Sequence, residues 1–364
     1  MTTTTTTTAG EGWQLGPFRR RGTVLRDVPE ATFRCPVSGR TVAWAAKDVF
    51  NPGAVVHDGQ VHLLVRAEDT IGRYHGTSRL GLAVSDDGLA FELEPEPVLF
   101  PADDAWQAWE WPGGCEDPRL VESPDGGYAC LYTAFDGKNA RLFVATSPDL
   151  RRWDKHGPAF AGTPYATHWA KSGAIVTEVR DGHLVAARHD GRFWMYWGEG
   201  ICFAATSTDL VRWTPLTFDP GDRYLSHRPD APVGTMPWEI HPIPAPTRSL
   251  RPLLFPRSGR FDERLVEPGP PALLTGDGVV LVYNGGSNDG YQPGQALFDA
   301  HDPASVSARA TRPFLAAQTA DEQHGQVDQV CFAQGLVLFL GEWLLYYGMA
   351  DSRIGVASAP VASA

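Results

Sequence analysis

The segment Glu110-Trp-Pro-Gly-Gly-Cys-Glu-Asp-Pro-Arg119 places two adjacent carboxylates, Glu116 and Asp117, directly ahead of a proline. Such groups suit acid–base work on a glycosidic bond. One carboxyl protonates the departing oxygen, and an inverting hydrolase uses a second carboxylate to activate water. If phosphate attacks instead, the proton donor suffices, but the dianion must be held by Arg, Lys or backbone N–H groups. Adjacent residues of an extended strand point to opposite sides, so only one of the two carboxylates is expected to face a shared site. The competing reading of Asp117 is a cap on the turn before Pro118.

Arg66, in Val65-Arg-Ala-Glu-Asp69, and Lys171, in Lys171-Ser-Gly173, could form an anion site together, with Arg141 and the pair Arg188-His189 as further candidates. Each alone is also an ordinary ion-pair residue. The eleven His show no HExxH and no close carboxylate–His cluster, so no metal is expected. A Walker loop, a Gly-rich dinucleotide turn and a GxSxG elbow are all missing, so no cofactor is expected either.

The elements that must position these residues repeat. A strand ending in Ala-x-Ser or a near variant, followed by a turn and an apolar or aromatic residue, occurs at Arg79–Ser85 with Phe91, Arg141–Ser147 with Trp153, and Ile201–Ser207 with Trp213. Degenerate copies are Gly294–Asp299 and Arg353–Ser358. The first three serines recur roughly every 60 residues, and a fixed period marks a repeat architecture. Ahead of each copy lies an apolar strand: Val61–Ala67, Gly127–Ala134, Gly191–Trp197, Gly278–Tyr283 and Glu342–Gly348. A further strand, opened by small or polar residues, precedes each of those. Three or four antiparallel strands per unit, repeated five times, predict an all-β, five-bladed β-propeller with a central axial pocket. The region from Gly22 to Trp44 is expected to complete the closing blade. The opening polar residues then form one ring: Asn51, Asp117, Lys171, Glu267 and a residue near Gln329. Two long connections, Arg73–Arg79 with Pro95–Gly114, and Leu216–Arg264, are expected to wall the pocket.

Composition agrees with this plan. The chain has 364 residues, 38 of them Gly and 30 Pro, which favours short strands and tight turns over long helices. Twelve Trp and ten Tyr supply core, and rings that could pack on sugars. A net charge of −12 argues against nucleic acid or an anionic membrane as partner. Five scattered Cys without a CxxC pair read as reduced thiols, hence a cytoplasmic enzyme. The threonine run in Met1–Gly10 has no secretory-signal pattern. Residues 1–21 are expected to be a disordered extension, and residues 22–364 a single catalytic domain.

From about residue 49 to 357 the chain resembles glycoside hydrolase family 130, the mannoside phosphorylases and mannosidases. The motifs occur in one order: Asn51-Pro52, Leu64-Val-Arg-Ala-Glu-Asp69, His75-Gly-Thr-Ser-Arg-Leu-Gly-Leu-Ala83, the Glu110–Arg119 segment, and Lys155-His-Gly-Pro-Ala-Phe160. Then come Lys171-Ser-Gly-Ala-Ile175, Tyr196-Trp-Gly-Glu199, Glu267-Pro-Gly-Pro-Pro271, Tyr283-Asn-Gly285, Gly294-Gln-Ala-Leu-Phe-Asp299 and Tyr346-Tyr-Gly-Met-Ala-Asp351. Within the family it is most similar to the 4-O-β-D-mannosyl-D-glucose phosphorylases.

The resemblance implies a five-bladed propeller and Asp117 as general acid, acting through the mannose 3-hydroxyl. It implies Arg66 and Lys171 as phosphate ligands and Asn51 and Asp351 as substrate ligands; beside these, Arg141 is expected at phosphate, and Glu116, Glu267, Asn284 and Tyr291 at substrate. Two departures bear on the acceptor sugar: Asp136-Gly-Lys-Asn139 replaces a more basic segment, and the Gly285–Gly294 loop is shorter. The expected reaction is inverting phosphorolysis of a β-mannoside, with β-1,4-mannosyl-glucose as first candidate, giving α-D-mannose 1-phosphate. Inorganic phosphate is then a co-substrate, the oligosaccharide and phosphate are the partners, and homo-oligomerisation is left open. The alternatives are a β-mannosidase in which a carboxylate such as Glu267 activates water, and a non-catalytic sugar-binding propeller.

Overall fold

The computed structural model describes residues 12–70, 76–217 and 249–361. The threonine run and most of the Leu216–Arg264 connection lie outside the described residues. Among the described residues helix is confined to two short pieces, Gln107–Glu110 and Ala320–Gln323, and none is long and apolar enough to cross a membrane.

Antiparallel strand sets follow one another along the chain. The first contains Asp48–His57, Gln60–Glu68, Ser78–Ser85 and Glu92–Leu93. Gly114–Glu122, Tyr128–Phe135, Ala140–Ser147 and Asp154–Pro158 form the next. Ala174–Arg180, Arg192–Trp197, Cys202–Ser207 and Trp213–Pro215 follow. Then come Leu265–Pro268 and Ala272–Thr275, both against Gly278–Ser287, with Gly290–Phe298 and Val306–Arg309 outside them. The last set is Cys331–Phe339, Glu342–Met349, Arg353–Pro360 and, as its outer strand, Arg19–Leu25. The second strand of the first set is apolar on both sides because both sides are covered, and Val61, Leu63, Leu64 and Val65 are fully buried.

Each set packs against the next. Leu64, Leu80 and Leu82 of the first share a core with Leu120, Cys130 and Phe143 of its successor. Leu273 and Val282 meet Cys331 and Leu336 of the last set. The last then packs on the first, where Val61, Leu63 and Val65 share a core with Val337, Leu344 and Tyr346. The sets therefore close on themselves.

The repeat seen in the sequence is a turn motif with a hydrogen-bonding reason. Ser207 Oγ accepts the N–H groups of Asp209 and Leu210, and Asp209 Oδ1 accepts those of Val211 and Arg212. The Trp213 indole then closes the turn on the Leu210 carbonyl at 3.0 Å. Ser147, Asp149 and Trp153 repeat the arrangement. Short polar side chains satisfy the turn backbone, so Ser and Asp recur where sheet pairing ends.

The expected boundary after residue 21 falls too late. Leu15 N–H donates to Gln295 Oε1 at 2.9 Å, the Phe18 and Phe314 rings lie 5.3 Å apart, and the outer strand begins at Arg19. Apolar residues at 15 and 18 have a core to enter, so the chain is ordered ahead of Gly22.

The first strands of the sets approach one another closely at the centre. A Cβ at Gly53 would lie 2.9 Å from the Pro118 carbonyl oxygen, and one at Gly335 would lie 2.9 Å from that of Pro52. Glycine is required there for proximity, not for its backbone angles. Gln334 bridges the same strands, donating to the carbonyls of Asn51 (2.6 Å) and Pro118 (2.9 Å). Gln334 is thus the residue near Gln329 that supplies the last set's central polar side chain.

Candidate active site

Two opening strands carry the same irregularity. Pairing shifts between Phe50 and Gly53 and again between Glu116 and Arg119, and Asn51 (φ 45°) and Asp117 (φ 48°) are left-handed, each just before a proline. Asn and Asp tolerate that region better than other residues with a Cβ. The bulge breaks strand alternation, which corrects the expectation that only one of Glu116 and Asp117 could face the site. Both reach the same guanidinium.

That guanidinium is Arg66. Nη1 donates to Asp117 Oδ1 (3.0 Å), Nη2 to Glu68 Oε1 (2.7 Å) and Glu116 Oε1 (3.1 Å), and Nε to Ser78 Oγ (3.0 Å). Its face lies 4.7 Å from the Phe50 ring centroid. Asn51 Nδ2 donates to Asp117 Oδ1 at 3.0 Å, and Gly348, opposite, leaves room for the Asn51 amide. Arg119 lies behind, fully buried, and donates to the backbone carbonyls of Asp117 (2.9 Å) and Pro268 (3.0 Å).

Lys171 closes the other side. Its Nζ lies 3.8 Å from Asp117 Oδ2 and 4.0 Å from Glu199 Oε1. Ser172, also left-handed, donates its hydroxyl to Glu267 Oε1. The structure thus brings together Asn51, Arg66, Glu116, Asp117, Lys171 and Glu267. The fields on Asp351 and Tyr291 place those groups in the same neighbourhood, Asp351 near Arg66, Asp117 and Lys171, and Tyr291 near Glu267 and Glu199.

Electrostatics sort the carboxyls. Burial works to raise the Asp117 carboxyl, but Arg66, Lys171 and Arg119 outweigh it and hold Asp117 well below the usual range. Burial lifts Glu116, Glu267 and Asp351 each to about 7. Burial also opposes the charges of Arg66 and Lys171, yet their carboxylate neighbours raise both. Carboxyls driven apart in this way supply an ionised group and protonated groups at one pH.

Other candidates are engaged elsewhere. Arg141 Nη1 donates to Asp136 Oδ2 (2.9 Å) and the Asn139 carbonyl (3.1 Å), and its guanidinium lies over Trp109. The unusual Asp136-Gly-Lys-Asn139 segment therefore captures the arginine expected at phosphate. Asn284, expected to hold substrate, uses both ends of its amide on the Ala333 backbone, at 3.0 and 2.8 Å, and ties two strand sets together. Arg188 lies over Phe193, and His189 meets the His301 carbonyl. Sequence reasoning missed Glu68, Glu199, Ser172 and Arg119. Glu68 was signalled by its position two residues beyond Arg66, on the same strand face. Among the described residues no group of three or more His, Cys, Asp or Glu could hold a metal ion.

A stability test follows from Glu267. Its carboxyl ordinarily titrates at 4.5 and here at about 7, so between those values the folded chain holds a proton that the unfolded chain releases. Stability from this group therefore falls as pH rises through that window. Glu267→Gln should raise Tm over the parent at pH 8, with a smaller gain at pH 4.5. A gain that does not vary with pH in thermal unfolding would show that burial of this charge is not its source.

The family model described as beta-1,4-mannooligosaccharide phosphorylase matches residues 32–228 and 242–363. The chain is 30% identical over 324 residues to the 1,2-beta-oligomannan phosphorylase of Thermoanaerobacter sp. (strain X514), covering 86% of this chain and 90% of that one. A glycosyl hydrolase from Bacteroides ovatus has a solved structure with TM-score 0.86 and 40% identity, covering 96% and 97% of the two chains. A further solved structure, at TM-score 0.86 and 41% identity over 98% of each chain, carries the description that the GH130 family of mannoside phosphorylases contains glycoside hydrolases that target beta-1,2 mannosidic linkages in Candida mannan. Matched along nearly its whole length, this chain belongs to glycoside hydrolase family 130.

Proposed function

We propose that this chain is an inverting enzyme that cleaves β-mannosidic bonds, those between β-1,2-linked mannoses first, and that water is the acceptor. The reading takes the closed strand sets as a five-bladed β-propeller, one set to a blade, with the site on its axis. The observation that carries it is the convergence of Asp117 with Asn51, Glu116, Arg66 and Lys171. Glu116 and Asp117 share one guanidinium and together keep a proton near neutral pH, so their titration belongs to the pair. Glu116 holds that proton while Asp117 stays ionised at rest, so the proton reaches the departing oxygen by way of Asp117, which Asn51 orients. Glu267, once ionised, activates water on the opposite face.

Water is favoured over phosphate by charge. Each expected phosphate ligand already faces a carboxylate: Arg66 has Glu68, Glu116 and Asp117, Lys171 has Asp117 and Glu199, and Arg141 has Asp136. A dianion brought to these cations also meets the negative charge of their carboxylates, and neutral water does not. Phosphorolysis is the second reading, favoured by the names of the family model and the curated relatives. The linkage in those relatives' names makes β-1,2-mannobiose the first substrate to assay and β-1,4-mannosyl-glucose the next. The five buried free thiols fit a reducing, cytoplasmic setting.

The test is incubation with β-1,2-mannobiose with and without inorganic phosphate. Hydrolysis releases mannose, initially as the α-anomer, at a rate that phosphate does not increase. Formation of α-mannose 1-phosphate, with turnover that requires phosphate, establishes the second reading. A β-configured product excludes single displacement under either.

A further inference from the structure

The large hydrophobic side chains left exposed among the described residues are Trp169, Val179, Val327, Leu340 and Val361, and Trp169, 50% exposed, is the aromatic one. Its indole is not free to swing. Nε1–H donates to Glu199 Oε2 at 2.7 Å, and the other oxygen of that carboxylate lies 4.0 Å from Lys171 Nζ. The Glu199 turn is itself pinned, because Gly198 N–H donates to the Lys171 carbonyl at 2.9 Å. Lys171 in turn lies 3.8 Å from Asp117. An exposed ring is thus tied, through one carboxylate and one ammonium, to the group that handles the proton. The Tyr291 phenol, raised by burial and by Glu267 and Glu199, borders the same carboxylate.

A flat apolar ring with its N–H already bonded offers only its faces, and the C–H face of a pyranose is the sugar surface that such a ring covers. Lys171 and Asp117 lie inward of it, so the mannose being transferred is held at Asn51 and Asp117 while the ring meets the next sugar out. We infer that Trp169 is the platform for the leaving-side sugar, and that Glu199 fixes its angle. This rests on the proposed β-mannoside chemistry and adds a specificity residue to it. A pyranose bound there also keeps solvent off the Lys171–Glu199 pair, which strengthens the field on Asp117.

The test uses the full chain, with mannose, β-1,2-mannobiose and β-1,2-mannotriose as probes. In an Asp117→Asn background, calorimetry should show mannobiose binding weakened about 10-fold or more by Trp169→Ala. Mannose, confined to the inner position, should weaken by less than about 2-fold. Trp169→Phe keeps a ring but loses the N–H that Glu199 holds, so it should recover only part of the affinity, between Ala and the parent. With Asp117 intact, Trp169→Ala should raise KM for mannobiose more than it lowers kcat. Equal loss for mannose and mannobiose, or a Phe variant as poor as Ala, overturns the platform. If mannobiose binds in a Trp169-dependent way but the parent chain turns over no β-mannoside, the functional proposal fails and the platform stands. A parent chain that binds none of the three sugars overturns both.

Discussion

Asp117→Asn should lower kcat on a β-mannoside by about 10²–10⁴-fold, the usual contribution of general acid–base catalysis, with KM changing by a small factor. The amide keeps the shape of the carboxylate, and its oxygen can still accept from Asn51 and Arg66, which meet Asp117 Oδ1 at 3.0 Å each. It has no proton to pass on. Binding therefore survives while turnover collapses, the pattern of an interaction made only in the transition state. Glu267→Gln is the matched control. If water attacks, losing this carboxylate should cost about as much as Asp117→Asn; if phosphate attacks, the loss should be much smaller. Near-normal turnover by Asp117→Asn, with Glu116→Gln inactive, would move the proton-handling role to Glu116.

Arg66→Ala should be the most destabilising single change in the site, at about 3–5 kcal/mol near neutral pH, because it takes from three buried carboxylates the guanidinium they share. Glu68, Glu116 and Asp117 are 4%, 8% and 3% exposed, so water cannot take over the role of the guanidinium. The pH dependence identifies the cause. Arg66 lowers the Glu68 and Asp117 carboxyls against the effect of burial, so without it both retain protons to higher pH when folded. The deficit should therefore be large at pH 8 and shrink as the pH falls through the range where these carboxyls take up protons. Chemical denaturation at several pH values measures it. A deficit of the same size at pH 5 and pH 8 would point to lost packing on Phe50 instead.

Much of the strand layout was legible because apolar runs and turn residues are local signals. The expected strand Val61–Ala67 appears as Gln60–Glu68, and Gly191–Trp197 appears as Arg192–Trp197. The convergence of Asn51, Asp117, Lys171 and Glu267 was legible too, because a repeat turns equivalent positions into neighbours. What could not be read was how charges share partners. Strand alternation predicts opposite sides for Glu116 and Asp117, and only the left-handed backbone at Asp117 sets it aside. Arg141 and Lys171 look alike as single letters. One is captured by Asp136 across a tight hairpin, and the other stands 3.8 Å from Asp117. Asn284 belongs to a motif that resembles a sugar ligand, yet its amide is complementary to the backbone of a strand from another set.

The outer strand of the last set, Arg19–Leu25, lies against Arg353–Pro360. A growing polypeptide makes the first of these partners long before the second. Until the later one leaves the ribosome, the earlier one has no edge to join, and the set it completes does not exist. The intermediate carries an open sheet edge and an uncovered face on the first set, the features that recruit wrong partners and chaperones. Closure also demands contacts between residues far apart in sequence, which slows the final step. The same pairing completes the set that carries Gly348, whose missing side chain leaves room for the Asn51 amide beside Asp117, so the latch and the site share one strand set.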